Sequence, residues 1–259
     1  MLIDAAGSIG LSDLPPALTG GTVAIGNFDG VHRGHQAVLS EALKGPAPRV
    51  ALTFEPHPRA FFSGQPIFRL TPLITKARLI CAFGLDRLVV VPFDERLASQ
   101  SADVFMDEVL GRQLNCRHVA VGYDFKFGKG RGGNAAYLHD QAAGRGFSVT
   151  VVPALEGDGG KVSSSQVRDR LGAGEVEAAA QDLGYHYQVT APVVHGHKRG
   201  RTLGFPTANQ ALEPAHQLRH GIYAVRAKIA GAWHGGVASY GRRPTFDDGA
   251  PLLETYVFD

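Results

Sequence analysis

Between Thr22 and Gly184, short apolar runs alternate with segments whose apolar residues recur every three or four positions. The runs TVAIG (22–26), VALTF (50–54), RLVVVPF (87–93), HVAVGYDF (118–125) and FSVTVVPAL (147–155) are rich in β-branched residues and of strand length. Between them QAVLSEAL (36–43), TPLITKARLICAF (71–83) and ADVFMDEVLGRQL (102–114) carry a helical period. In the last, Val104, Phe105, Val109 and Leu110 are expected to line one face, with Asp107 and Glu108 outside. Two further helical segments follow, SSSQVRDRLGAG (163–174), with serines as candidate N-caps, and EVEAAAQDLG (175–184). Strands alternating with helices predict a parallel sheet covered on both faces, with ligands beyond the carboxyl ends of its strands.

Past Gly184 the pattern changes. QVTAPVVHG (188–196), GIYAVRAKIAGAWHGGVASYG (221–241) and LLETYVFD (252–259) read as strands with glycine-containing turns, including a hairpin around Ala230-Gly231, and no long helix is evident. The chain therefore divides near Gly184 to Gln188. Residues 1–184 are expected to form an α/β domain and residues 185–259 a small all-β barrel.

Composition narrows the class. With 259 residues, 44% hydrophobic and 19% charged, the chain has the make-up of an ordinary globular protein. A net charge of +2 is too mild to argue for a nucleic-acid or membrane partner. Cys81 and Cys116 are the only cysteines and have no neighbours at metal spacing, which fits thiols in a reducing compartment. The amino-terminal stretch lacks the basic and apolar regions of a signal peptide, and no run has the roughly 18–20 apolar residues of a membrane span. A cytoplasmic location is expected.

The candidate chemistry begins with GNFDGVHRGH (26–35), a loop between an apolar strand and a helix. Gly26 and Gly30 allow close backbone approach, and His32 and His35 fall near the start of the helix on one face. Imidazoles beside free backbone N–H groups suit phosphate oxygens. Zinc competes as a reading, but His-x-x-His has no third or fourth ligand at recognisable spacing, and either histidine alone is as readily structural.

The pattern x-G-x-F-D-G-x-H-x-G-H resembles that of the nucleotidylyltransferase superfamily, and more closely that of bifunctional riboflavin kinase/FMN adenylyltransferases. Further segments resemble that family in order: LTFEPHPRAFF (52–62), RLTPLITKARLI (69–80), VGYDFKFGKGRGG (121–133), VSSSQVRDRL (162–171), with Ser165 where threonine is usual, and LGFPTAN (203–209). The resemblance implies a nucleotidylyltransferase-type parallel-sheet domain making FAD from FMN and ATP, followed by a riboflavin kinase-like barrel making FMN. ATP, FMN and riboflavin would be substrates, with Mg2+ as cofactor.

Residue by residue, the resemblance implies that His32 and His35 bond the α- and β-phosphates, while Ser163, Ser164 and Arg168 grip the β- and γ-phosphates. Gly26, Phe28, Asp29 and Gly34 complete the ATP loop, Asp29 either placing magnesium or orienting the loop. Taken alone, Arg168 reads more readily as a solvated helix charge; the serines beside it and the order of the motifs reverse that. Phe54, Pro56, His57 and Pro58 are expected on the flavin side, joined by Tyr123, Asp124 and Phe125, with Lys126, Lys129 and Arg131 near an FMN phosphate. In the second half, Thr207 and Asn209 would hold magnesium and ATP, and Glu254 would be the general base. Ser239-Tyr240 stands where the family usually reads Asn-Ile, and Tyr256 where histidine is common. Family members continue past the position of Asp259, so the barrel is expected to be incomplete at its end. A nucleotidylyltransferase for another phosphorylated acceptor, and a non-catalytic flavin- or nucleotide-binding module, are the competing readings.

Overall fold

The structure, a computed structural model, describes residues 7–158, 160–194, 206–242 and 251–258. Six parallel strands form the first sheet: β1 (Ser8–Gly10), β2 (Thr22–Ile25), β3 (Arg49–Glu55), β4 (Arg87–Pro92), β5 (His118–Gly122) and β6 (Ser148–Val152). Their spatial order is β1-β4-β3-β2-β5-β6. From β2 the chain winds outward through β3 and β4, then returns to place β5 on the other side of β2. The sheet therefore changes winding direction between β2 and β5, and a crevice opens beyond their carboxyl ends.

The strands are buried on both faces, and their alternation sorts residues by size. Val23, Ile25, Val50, Leu52, Val89, Val91, Val119 and Val121 point into one core with Phe105, Met106 and Leu138. Ala24, Ala51 and Ala120 point the other way, where α1 (Arg33–Lys44) packs through Val38, Leu39 and Ala42. Small side chains on that face let the helix approach closely, which brings its first turn to the end of β2. α2 (Pro58–Ser63) and α3 (Leu73–Phe83) link β3 to β4.

Between β4 and β5 lies α4, helical at Ala102–Val104 and running on as a π-helix over Phe105–Gln113. Its buried residues are Phe105, Met106, Val109 and Leu110, whereas Val104 is exposed. The expected face is thus shifted by one residue at its start. Positions 105, 106, 109 and 110 form an ordinary helical stripe of spacing i, i+1, i+4 and i+5, which the apolar Val104 beside it obscures in the sequence. α5 (Ala135–Ala142), which the periodicity does not anticipate, covers the β6 side and is capped by the Asn134 side chain. α6 (Ser164–Ala173), N-capped by Ser163 as expected, and α7 (Val176–Leu183) complete the helices.

Five antiparallel strands follow: β7 (Val193–Val194), β8 (Ala208–Ala211), β9 (Gly221–Ile229), β10 (Ala232–Gly241) and β11 (Leu252–Val257), in the order β7-β8-β11-β10-β9. β9 and β10 form the expected hairpin, with Ile229 opposite Ala232 and positive φ at Ala230 (47°) and Gly231 (91°). Left-handed backbone at both loop positions is the geometry of a two-residue hairpin turn. A third core joins the halves: Phe68, Leu70, Val167, Leu171 and Leu183 pack with Leu218, Ala238, Tyr240 and Leu253.

Candidate active site

A cleft of about 1480 Å³ opens at the carboxyl ends of β2, β3 and β5, where the winding reverses. One wall is the loop after β2. His32 is the N-cap of α1: its Nδ1 accepts from the His35 backbone N–H at 3.3 Å, so the neutral ring carries its proton on Nε2. The His32 and His35 rings stack with centroids 3.6 Å apart, and Phe28 meets His35 edge-on at 5.4 Å. Burial lowers the His32 pKa from 6.5 to about 4. Burial, reinforced by the adjacent His32, holds His35 well below the usual imidazole value. Both rings are therefore neutral donors at physiological pH. Among the described residues the buried Nδ1 of His35 has no hydrogen-bond partner.

Gly34 eases a tight approach. A Cβ there would lie 3.2 Å from the His32 ring and 3.4 Å from the Val162 carbonyl oxygen. Its absence lets the first turn of α1 meet the start of α6, so two helix N-termini face the cleft. At the second, the Ser163 hydroxyl accepts from the Gln166 N–H at 3.2 Å, and Ser164 Oγ donates to the Asp29 carbonyl at 2.8 Å. The Arg168 guanidinium is paired with the Asp29 carboxylate and donates from Nε to the Phe68 carbonyl at 2.7 Å. It lines the cleft with a side chain 13% exposed, which removes the solvated-charge reading.

Asp29 sits behind the cleft wall and is 2% exposed. Its carboxylate accepts from Leu70 N (3.2 Å), Thr71 N (3.0 Å), Thr71 Oγ (3.3 Å) and Arg168. Of the two expected roles, this geometry serves loop orientation. Thr71, the residue through which the segment before α3 meets the loop, is not marked by its type or spacing.

The other wall is aromatic. Phe54, at the end of β3, packs edge-on against Phe93 at 6.0 Å, and Phe61 and Phe62 of α2 meet Phe93 at 5.3 and 5.6 Å. Phe125 and Phe127 stack at 5.3 Å, and Phe127 lies 5.5 Å from Phe105. His57 caps α2, its Nδ1 accepting from Arg59 N at 3.0 Å, and burial lowers its pKa to about 4. Tyr123 and Asp124 close the rim: Lys161 is 2.5 Å from the Asp124 carboxylate and 4.5 Å above the Tyr123 ring. The cleft thus gathers Gly26, Phe28, His32, Gly34, His35, Phe54, His57, Pro58, Tyr123, Asp124, Phe125, Ser163, Ser164 and Arg168, together with Lys126, Lys129 and Arg131. Asp29 and Pro56 do not line it. Phe61, Phe62, Phe93 and Phe105 carry no signal of their own in the sequence. They read as helix or strand core until tertiary structure turns them to one side.

In the second sheet, β8 and β11 pair so that Asn209 lies opposite Glu254, and Thr207 Oγ is 3.5 Å from Asn209 Oδ1. The three expected residues of that half are therefore neighbours. The glycine-containing basic approach to them at 195–205 lies outside the described residues. Among the described residues, no group of three or more His, Cys, Asp or Glu suits a metal ion, and no helix is long and apolar enough to cross a membrane.

Two family models match the chain, FAD synthetase over residues 14–166 and riboflavin kinase over residues 183–259. The bifunctional riboflavin kinase/FMN adenylyltransferase of Pseudomonas fluorescens is 39% identical over 96% of this chain and 82% of its own length. The chain belongs to that family. The Escherichia coli K12 relative of the same description is 37% identical, over 96% of this chain and 82% of its own. A crystal structure of a macrolide-efflux protein from Streptococcus pneumoniae superposes with a TM-score of 0.83 at 28% identity, covering 97% of this chain and 84% of that one.

Proposed function

We propose that this chain makes FAD from FMN and ATP in the cleft of its first 184 residues and phosphorylates riboflavin to FMN on the following sheet. The observation that carries the first activity is the neutral, stacked His32–His35 pair at the start of α1, with one buried nitrogen unpartnered, facing an aromatic wall across a single cleft. An FMN phosphate oxygen attacks the α-phosphorus of ATP, the bond from that phosphorus to the bridging oxygen breaks, and pyrophosphate leaves with the electron pair. No covalent enzyme intermediate is needed, so positioning and charge stabilisation suffice. His32 donates from Nε2 to a phosphate oxygen, and His35 contributes beside it as charge moves onto the leaving group. The N-termini of α1 and α6 add backbone donors. Arg168 presents its planar donors to the β- and γ-phosphates when ATP enters.

On the opposite wall Phe54, Phe61, Phe62 and Phe125 offer faces and edges to the isoalloxazine ring, with Lys126, Lys129 and Arg131 near its phosphate. In the second sheet, Thr207 and Asn209 supply neutral oxygen donors of the kind magnesium accepts, and Glu254 stands opposite to take the proton of the riboflavin 5′-hydroxyl. Magnesium held by Thr207 and Asn209 would neutralise phosphate charge. In the cleft Asp29 is already bonded and Asp124 is paired with Lys161, so a magnesium ion there would be carried in with the substrate rather than held by these carboxylates. The partners of this reading are small molecules, with no nucleic acid, and its place is the cytoplasm, where ATP is available.

The test incubates the full chain with magnesium and ATP plus either riboflavin or FMN and separates the flavins chromatographically. FAD from FMN, and FMN then FAD from riboflavin, is the expected result. FAD from FMN alone would withdraw the kinase assignment. Tight flavin binding with no pyrophosphate release would replace the enzyme by a binding module.

A further inference from the structure

The loop carrying His32 and His35 is held from behind by residues 68–71 and Arg168 of the first half and by Tyr185 of the second. Phe28, Gly30 and Val31 have positive φ (48°, 84° and 37°), a backbone that persists at non-glycine residues only where the surroundings over-determine it. The Gly30 peptide is gripped on both sides: its N–H donates to Thr71 Oγ at 2.9 Å, and its carbonyl accepts from the Tyr185 hydroxyl at 2.7 Å. Asp29, between these contacts, is fixed by Leu70 N, Thr71 N and Arg168, and Arg168 is fixed in turn by the Phe68 carbonyl. One extended strap, residues 68–71, therefore supplies most of the loop's restraint.

That strap has its other face on the second half. Phe68 and Leu70, both buried, pack with Leu218, Ala238, Tyr240 and Leu253, and the Phe68 ring lies 4.4 Å from His216. Arg69 reaches Glu213 through two contacts, Nη2 to Oε1 at 2.8 Å and Nε to Oε2 at 3.5 Å, and touches Glu55 at 3.4 Å. A paired guanidinium–carboxylate contact fixes direction as well as distance. Glu55 also meets the buried Lys76 at 3.5 Å, so the chain of charges runs from Glu213 to beneath the end of β3.

We propose that Tyr185, Arg69 and Glu213 are positioning residues for adenylyl transfer: the C-terminal half clamps the 68–71 strap, and the strap holds the histidine loop in its reacting geometry. The proposal rests on the reading that FAD forms in the cleft. It makes the second half part of the first half's machinery, through contacts that touch neither substrate.

The experiment compares full-length wild type with Tyr185→Phe, Arg69→Gln, Glu213→Gln and the Arg69→Gln/Glu213→Gln double variant. FAD formation from FMN is measured, together with the titration of the His32 ring by NMR. The expected kcat falls about 10-fold or more in each, because small displacements of reacting groups are costly. KM for ATP and FMN stays within about twofold, and the double variant is no worse than either single change. The His32 titration, near 4 in the wild type, moves up toward its ordinary 6.5 as the loop loosens and admits water. Unchanged kcat and unchanged His32 titration in folded variants would overturn the proposal. So would a fall in kcat that merely follows the folded fraction measured by circular dichroism. If the wild type makes no FAD, the functional reading fails, and the His32 titration by itself decides the clamp.

Discussion

The two walls of the cleft are built on different principles. The polar wall is directional: Gly26 to His35 and Val162 to Arg168 are tied by specific hydrogen bonds, and His32 and Asp29 are almost completely buried. The aromatic wall is held by contact: Phe54 is core, but Phe61 is 36% and Phe62 71% exposed, each leaning on Phe93. Charge stabilisation at a phosphorus demands donors fixed to fractions of an ångström, so the polar wall must be over-determined. Stacking on a flat ring is tolerant of small shifts, so the aromatic wall can leave part of its surface open to solvent.

If that contrast is right, the largest effect comes from the centre of the polar wall. Asp29→Ala leaves Arg168 buried without its counter-charge and should cost about 3–5 kcal/mol of stability, read as a lower denaturant midpoint with the slope unchanged. A loss under about 1 kcal/mol would mean the loop is not held there. His35→Ala removes a donor together with the ring contacts to His32 and Phe28. FAD formation should fall about 10²- to 10³-fold with the fold intact by circular dichroism, and wild-type turnover would take His35 out of the chemistry.

Acid should weaken both walls together. His32 and His57 titrate near 4 in the folded protein against 6.5 ordinarily, each lowered chiefly by burial. Between those values the unfolded chain binds more protons, so these groups leave stability intact above about pH 6.5 and drain it as pH falls toward 4. Thermal unfolding across that range should show a falling Tm; a flat profile would contradict the burial of both rings. Phe62→Ala probes the tolerant wall: stability should change by less than about 0.5 kcal/mol while KM for FMN rises roughly 2- to 10-fold. The smallest effect is expected from Asn209→Ala, which should suppress FMN formation from riboflavin and leave FAD formation from supplied FMN at the wild-type rate. An equal loss of both would undo the assignment of two sites.

The strands other than β1 and β8, the parallel pairing of the first sheet, the start of α1 at His32 and the Ala230-Gly231 hairpin were legible in the chain, because each follows from local periodicity or turn chemistry. The polar residues of the cleft were named through the family resemblance, and the structure gathers them there except Asp29, which lies behind the wall. The face of α4 was read one residue off at its start: Met106 is inside and Val104 outside, a choice that two neighbouring apolar residues of similar character leave to packing. The aromatic wall was legible only in part: the family resemblance pointed to Phe54, Tyr123 and Phe125, whereas Phe61, Phe93 and Phe105 have the composition of ordinary core.

By itself, then, the sequence determined which elements form and which chemistry they carry, since backbone propensity, capping and apolar period act over a few residues. Only the tertiary structure decided what each polar group does. Asp29 is bonded by Leu70, Thr71 and Arg168, residues 41 to 139 positions away, and this occupies it as the orienting group of the loop. Likewise, Tyr185 and Glu213 meet the loop and its strap only because the second half packs against the first. Buried polar groups must find partners wherever the folded chain supplies them, and that supply is a property of packing rather than of sequence neighbours.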